Sequence, residues 1–229
     1  MNTKMSIKIE ELKKLPVTEL ARKFKCLPEE VCMGDYIARY TDDKVCPYKV
    51  IMGFANFEGS DVRSLGELQV VYGKLLEDRG GALTDVNGNP SYMGINLADS
   101  KITSLGKLEK VYGSITLNEN IISLGKLQYL GSNLFLGGTK LQNLGDLEVV
   151  EGILNFERTT ISTLGKLKKV GVLRIGNQSL KSFGNLEKAD EIIIATQPKY
   201  RYEKMIEDNF YQYGRKCVRI FQDVNEYEY

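Results

Sequence analysis

The chain has 229 residues, of which 42% are hydrophobic and 27% are charged, as is ordinary for a globular protein. Its 31 basic and 30 acidic residues leave a formal net charge of +1, which excludes a global field that would hold nucleic acid or a membrane. The absence of histidine excludes Ser-His and Cys-His nucleophile pairs and histidine-ligated zinc. No signal peptide and no membrane-spanning run are apparent, so we expect a cytoplasmic protein.

Residues 1–50 form a charged block that favours helices. Hydrophobic residues at helical spacing predict one helix before Pro16 and a second over residues 19–25, capped by Thr18. The segment 28–40 predicts a third helix that begins at a proline. We expect these helices to form an N-terminal cap that covers the open first coil of the repeats that follow.

Part of this block also resembles a DNA-binding motif. The segment 18–31, TELARKFKCLPEEV, is similar to the helix-turn-helix of bacterial DNA-binding proteins. Glu29 and Glu30 would begin the recognition helix, where they would repel phosphates. We therefore favour the cap and keep DNA binding as the alternative.

A repeat of 19 or 20 residues organises the middle of the chain. The residue before the first glycine of each copy is Leu105, Leu124, Leu144, Leu164 or Phe183. This fixed step predicts a solenoid, in which each copy is one coil stacked on the last. Because the segment from Met52 echoes the segment from Met93, we expect the first coil to begin at Met52, and we assign residues 51–197 to the solenoid.

Alternation within each copy predicts a parallel sheet with aliphatic ladders beneath it. The inward pairs are Ile115 and Leu117, Leu134 and Leu136, Leu154 and Phe156, Leu173 and Ile175, and Ile192 and Ile194. Leu105, Leu108 and Val111 and their equivalents should pack the opposite wall through a short turn of helix or 3₁₀ structure. The glycines at 106, 125, 145, 165 and 184 recur in every coil, so we expect them to supply a special backbone conformation and not a phosphate-binding loop.

The pattern SLGxLxxVxGxLxLxxTxI resembles leucine-rich-repeat solenoids, especially the short-coil form of receptor L domains and of phage and bacterial repeat proteins. The resemblance covers residues 52–196 but lacks the recurrent Asn or Cys ladder. It implies a rigid protein-binding scaffold with no catalytic residue and no cofactor. The predicted fold class is α+β: a leucine-rich-repeat-like solenoid with a stacked parallel sheet, a helical N-terminal cap and a mixed C-terminal cap.

Two segments depart from the repeat. Residues 77–93 form an insertion, in which a turn signal at 85–90 predicts a projecting hairpin or loop, either a contact element or a neutral addition. Residues 198–229 are rich in tyrosine and predict a C-terminal cap. Within it we expect a helix over 200–213 and a strand over 217–221 that closes the sheet.

The outward mid-strand position offers the candidate binding surface. It is occupied by Asn96, Thr116, Phe135, Asn155, Arg174 and Ile193. Neighbours in such a row lie about 4.8 Å apart, so one partner could touch them all. Phe135 and Arg174 are the expected anchors, and a merely solvated face is the alternative.

The sequence offers little for catalysis or metal binding. Glu157 and Arg158 are expected to form an ordinary ion pair. The four cysteines are Cys26, Cys32, Cys46 and Cys217. Because they lack a Cys-x-x-Cys pair, we expect free thiols and not a zinc site.

The sequence therefore predicts a non-enzymatic protein-interaction module with a protein partner, without cofactor, metal or membrane. Because similar short-coil repeats occur in phage proteins, one concrete version is a phage-encoded inhibitor that occludes a host defence protein. The alternative is a DNA-binding regulator that uses the N-terminal helices on DNA and the solenoid as a sensor or dimerisation arm.

Overall fold

The chain folds as a parallel β-solenoid of about eight turns, seen in a computed structural model that describes residues 9, 11–78, 81–82, 92–176, 180–194, 204 and 216–222. The α-helix α1 spans Val17–Phe24, and 3₁₀ turns span Pro28–Glu30 and Ala38–Tyr40. Residues 9 and 11–13 are also helical, which agrees with the helix predicted before Pro16. The strands are β1 Val31–Cys32, β2 Tyr36–Ile37, β3 Val50–Ile51, β4 Ala55–Asn56, β5 Val70–Val71, β6 Lys74–Leu75, β7 Glu77–Asp78, β8 Gly81–Ala82, β9 Tyr92–Asn96, β10 Lys110–Val111, β11 Ser114–Thr116, β12 Tyr129–Leu130, β13 Leu134–Phe135, β14 Val149–Asn155, β15 Lys169–Ile175, β16 Lys188–Ile194 and β17 Lys216–Gln222.

Each turn carries two strand segments that meet at a bend. The first segments stack in the order β1-β3-β5-β10-β12-β14, and the second segments stack as β2-β4-β9-β11-β13-β14. The long strands β14 to β17 run through both stacks, and each pairs with the next in parallel. The sequence predicts one sheet that faces a wall of short helical or 3₁₀ turns. The Leu108 amide does bond to the Leu105 carbonyl in a tight turn, but Val111 pairs with the equivalent residue of the next turn, so this wall also holds the stack of first strand segments.

The interior is the apolar ladder that the repeat predicts. All members of the predicted inward pairs are buried except Leu117, which is half-buried against the core. Leu105, Leu108 and Val111 are fully buried on the opposite walls. Burying one such side chain is worth about 1.5–3 kcal/mol, so the stacked ladders supply most of the driving force for folding.

The recurrent Ser-Leu-Gly segment is a local turn device. The Ser104 hydroxyl accepts a hydrogen bond from the Gly106 amide at 3.1 Å, and Ser123 and Gly125 repeat the bond at 3.0 Å. The five glycines have φ between 52° and 58°, a left-handed conformation that side chains resist. The expectation of a special backbone conformation is confirmed.

The solenoid begins earlier in the chain than expected. β1 pairs in parallel with β3, and β2 pairs in parallel with β4, so residues from Val31 already form a turn ahead of Met52. The helix predicted over 28–40 is therefore wrong. Val31, Tyr36 and Ala38 are buried where strands and a 3₁₀ turn place them, and the Tyr36 ring packs edge-on against Phe57 with centroids 5.5 Å apart.

Helix α1 confirms the predicted second helix. Its position differs from the expected cap over the open first coil. Its buried residues Leu20 and Ala21 pack with Val31, Val50 and Val70, so α1 covers the side of the first turns and not the open end. No side-chain cap from Thr18 is present, since Pro16 occupies the N-cap position. About 11% of the chain is helical, and the α+β class is not confirmed.

The insertion leaves the solenoid at the bend between the two strand segments of one turn. β6 pairs antiparallel with β9, and β7 pairs antiparallel with β8. β4 and β9 nevertheless pair directly, so the segments from Met52 and Met93 belong to neighbouring turns. The predicted turn at 85–90 lies outside the described residues.

At the other end, β17 pairs in parallel with β16, which confirms the predicted closing strand over 217–221. The helix predicted over 200–213 lies outside the described residues apart from Lys204, which is helical. Among the described residues, no helix is both long enough and apolar enough to cross a bilayer.

Candidate protein-interaction face

The six predicted surface residues lie in one row. The register pairs Asn96 with Thr116, Phe135 with Asn155, Asn155 with Arg174, and Arg174 with Ile193. We call the outer side of the second strand segments, marked by this row, the second-strand face. Whether this face binds a partner stays a prediction, but its members do form a continuous strip.

The residues of the row differ in role, because two of them form hydrogen bonds that shape the following turn. The Asn96 side-chain oxygen accepts a hydrogen bond from the Ala98 amide at 3.0 Å, and that of Asn155 accepts one from the Glu157 amide at 2.7 Å. Thr116 is exposed and makes no such bond in the described chain. The two asparagines thus have a structural role that the sequence interpretation missed, and an Asn followed two residues later by a turn was its signal.

Phe135 is the most exposed apolar side chain of this strip, since Ile193 is only partly exposed. Its side chain is 52% exposed, while the neighbouring inward residues Leu134 and Leu136 are fully buried. The ring points outward because Phe135 lies in β13, where successive side chains alternate between the interior and the surface. A half-exposed aromatic ring on a rigid strand is the kind of side chain that protein interfaces use as an anchor.

Arg174, the other predicted anchor, makes an ion pair within the face. Its Nε donates to Glu157 Oε1 of the preceding turn. The predicted pair between Glu157 and Arg158 is wrong, because Arg158 has a left-handed backbone with φ 54° while Glu157 faces Arg174 across the stack. Arg174 therefore serves the fold as well as the surface.

A shallow depression of about 420 Å³ lies beside Phe135. It is lined by Phe135, Gly137, Gly138, Asn155, Glu157 and Arg158. The two glycines leave its floor without side chains. It combines an aromatic wall, an exposed guanidinium and an ion pair in two adjacent turns.

The outer side of the first strand segments is different. This first-strand face carries an aromatic run in which Phe24 of α1 meets Tyr72 at 6.0 Å, Tyr72 stacks on Tyr112 at 4.8 Å, and Tyr112 meets Tyr129 at 5.3 Å. Burial raises the pKa of all three tyrosines above the usual range. The repeated Val-Tyr-Gly at 71–73 and 111–113 was the sequence signal for this run.

The third side holds the Ser-Leu-Gly turns and is dominated by ion pairs between turns. Asp61 lies between Lys44 and Lys101, whose hydrogen bonds lower the pKa of its carboxyl to about 2. Two large apolar side chains are exposed on this side of the described chain, Ile122 at 59% and Val45 at 51%. We call this the turn side.

The described thiols are poorly suited to chemistry. Burial raises the pKa of Cys46 to about 12 and also raises that of Cys32, so both are protonated near neutral pH. Within the described residues, no group of three or more His, Cys, Asp or Glu side chains could hold a metal ion.

Comparisons of the chain with protein-family models, with curated proteins and with solved structures found no match. The resemblance to leucine-rich repeats therefore has no family match behind it, and the structure supports the coarser class of parallel β-solenoid.

Proposed function

We propose that this chain is a non-enzymatic protein-interaction module that binds a protein partner through the second-strand face. The observation that carries the proposal is the half-exposed ring of Phe135, set beside a depression on a mostly polar strip. A side chain held outward by a strand loses little conformational entropy on binding, which favours its use as an anchor.

The scaffold supports this proposal by its rigidity. Each turn bonds to the next along two strand stacks, and pairs such as Glu67 with Lys107 and Asp146 with Lys166 join turns on the turn side. Stacked repeats of this kind present one wide surface of fixed shape. The first-strand face is less suited, since α1 already covers its first turns.

The other functional predictions have less support. A recognition helix over residues 28–40 is missing from the fold, so DNA binding lacks the element it needs. The hypothesis of a phage-encoded inhibitor of a host defence protein rests on the resemblance of the repeats alone and stays a prediction.

The test is affinity capture from candidate host lysates with the tagged full chain and two single variants. Phe135→Ala removes the exposed ring of the second-strand face, and Ile122→Ala removes an equally exposed apolar side chain from the turn side. The proposal expects one protein to be retained by the parent and by Ile122→Ala and lost by Phe135→Ala. Equal retention by all three proteins would refute a role for this face.

A further inference from the structure

We propose that the depression beside Phe135 binds a carboxylate-bearing, partly apolar segment of the partner protein, with Arg158 as the residue that selects for negative charge. This inference rests on the proposed function and adds the chemistry of the partner. It follows from the shape of the depression, its charge and the backbone of Arg158.

The shape suits a protruding side chain. Phe135 forms one wall, and Gly137 and Gly138 form an open floor in the same turn. A Cβ at Gly137 would meet the Glu157 carbonyl oxygen at 3.1 Å, whereas a Cβ at Gly138 would meet nothing within 4 Å. An apolar side chain can therefore lie on the floor against the ring, where it loses contact with water.

The charge favours an anion. The depression and its edge carry Glu157, Arg158 and Arg174, which leave one positive charge in excess. The Glu157 carboxylate is neutralised by Arg174. Arg158 is exposed and has no ion-pair partner among the described residues. A guanidinium binds a carboxylate through two parallel hydrogen bonds, which makes a Glu or Asp of the partner its natural complement.

The backbone of Arg158 points to the same site. The residue has φ 54°, a left-handed conformation that costs an arginine more than a glycine. The equivalent position of other turns is held by Gly59, Asp99 and Gly138, also at positive φ. The conformation therefore belongs to the turn of the repeat, and this turn has an arginine at the position. Here it places a guanidinium on the depression of the second-strand face.

The probes are two seven-residue peptides, one with Phe and Leu flanked by aspartates and one with the same apolar residues flanked by lysines. Binding to the full chain is followed through backbone amide chemical shifts. The aspartate peptide should shift the amides of Gly137, Gly138 and Arg158 and bind at least about 10-fold more tightly than the lysine peptide, a difference of 1.4 kcal/mol. Equal binding of both peptides, shifts away from the depression, or no shifts at millimolar peptide would overturn the inference.

Two glycine variants separate charge recognition from stability. Both Arg158→Gly and Asp99→Gly remove the backbone strain of a non-glycine residue in the left-handed conformation, so each should raise Tm by about 2 °C. Arg158→Gly should also weaken the aspartate peptide about 10-fold, whereas Asp99→Gly should leave its affinity unchanged. Unchanged affinity in Arg158→Gly would contradict the role of Arg158.

The proposed function and the inference about the partner's chemistry can be refuted separately. If the captured partner still requires Phe135 but the aspartate peptide is no better than the lysine peptide, the inference falls and the proposed function stands. If capture is also indifferent to Phe135, both fall.

Discussion

The two strand stacks share one interior but differ outside. The first-strand face carries Val50, Val70 and Tyr72, which are buried beneath α1. The second-strand face carries asparagine, threonine, arginine and the partly exposed Ile193, with Phe135 as its exposed ring. The inner ladders of both stacks are equally apolar and equally buried.

This difference shows that the repeat determines the interior and leaves the outer side chains to vary. On the first-strand face, the side chains at the variable positions pack against α1 of the same chain. On the second-strand face they remain open, which is why we propose that this face binds a partner. Matched substitutions on the two faces should therefore affect different properties.

The largest expected effect comes from Tyr72→Ala. Tyr72 is 4% exposed and contacts both Phe24 and Tyr112, so the substitution removes packing between α1 and the solenoid. We expect a loss of about 3 kcal/mol in the free energy of unfolding, measured by urea denaturation. A loss below about 1 kcal/mol would show that α1 does not depend on this aromatic run.

The second largest effect is expected from alkaline pH, which should destabilise the folded chain through the tyrosines of the first-strand face. Burial is the main cause that raises the pKa values of Tyr72 and Tyr129 in the folded chain above the value near 10 of an unfolded tyrosine. Their contribution to stability is therefore complete below pH of about 10 and is lost as the pH rises further.

Absorbance of tyrosinate measures this effect. At pH of about 11, the folded chain should show less tyrosinate than the chain in denaturant, and Tyr72→Phe should narrow that gap. Identical titration of the folded and denatured chains would contradict the burial of these phenols.

A smaller gain is expected at the end of α1. Lys25 ends the helix with φ 53°, where glycine is the better residue. Lys25→Gly should stabilise the chain by about 0.5–1 kcal/mol, measured by thermal unfolding. The exposed Lys23→Gly, inside the helix, serves as control and should destabilise it instead.

The smallest effect on stability is expected for Phe135→Ala. Because the ring is half-exposed, the variant should unfold within about 0.5 kcal/mol of the parent. Ile122→Ala should behave alike, and circular dichroism during urea unfolding checks both. A loss above 2 kcal/mol for Phe135→Ala would make the ring a structural element.

The sequence predicts the interior well, because the same inward-facing positions recur in every copy of the repeat. The inward pairs, the positive φ of Gly106 and its equivalents, and the row from Asn96 to Ile193 all follow from a fixed period and strand alternation. The stack of first strand segments does not follow from the sequence, because a two-residue strand such as β10 has no pattern of its own. Only pairing with β5 and β12 makes it a strand.

The N-terminal part and the depression were predicted less well. Residues from Val31 lack the Ser-Leu-Gly signal, so the sequence favours a helix where the structure has the first turn. The ion pair of Glu157 with Arg174 joins neighbouring turns, and sequence proximity favoured Arg158 as its partner instead. The depression beside Phe135 arises from side chains of two turns and has no linear signature.

The most direct test of the central claim is amide hydrogen exchange of the full chain, alone and saturated with the partner captured by the parent. The account predicts new protection at 137–138 and 157–158, the exposed turns beside Phe135, and little change in α1. Protection concentrated on the Ser-Leu-Gly turns or on α1, with residues 137–138 and 157–158 unchanged, would contradict it.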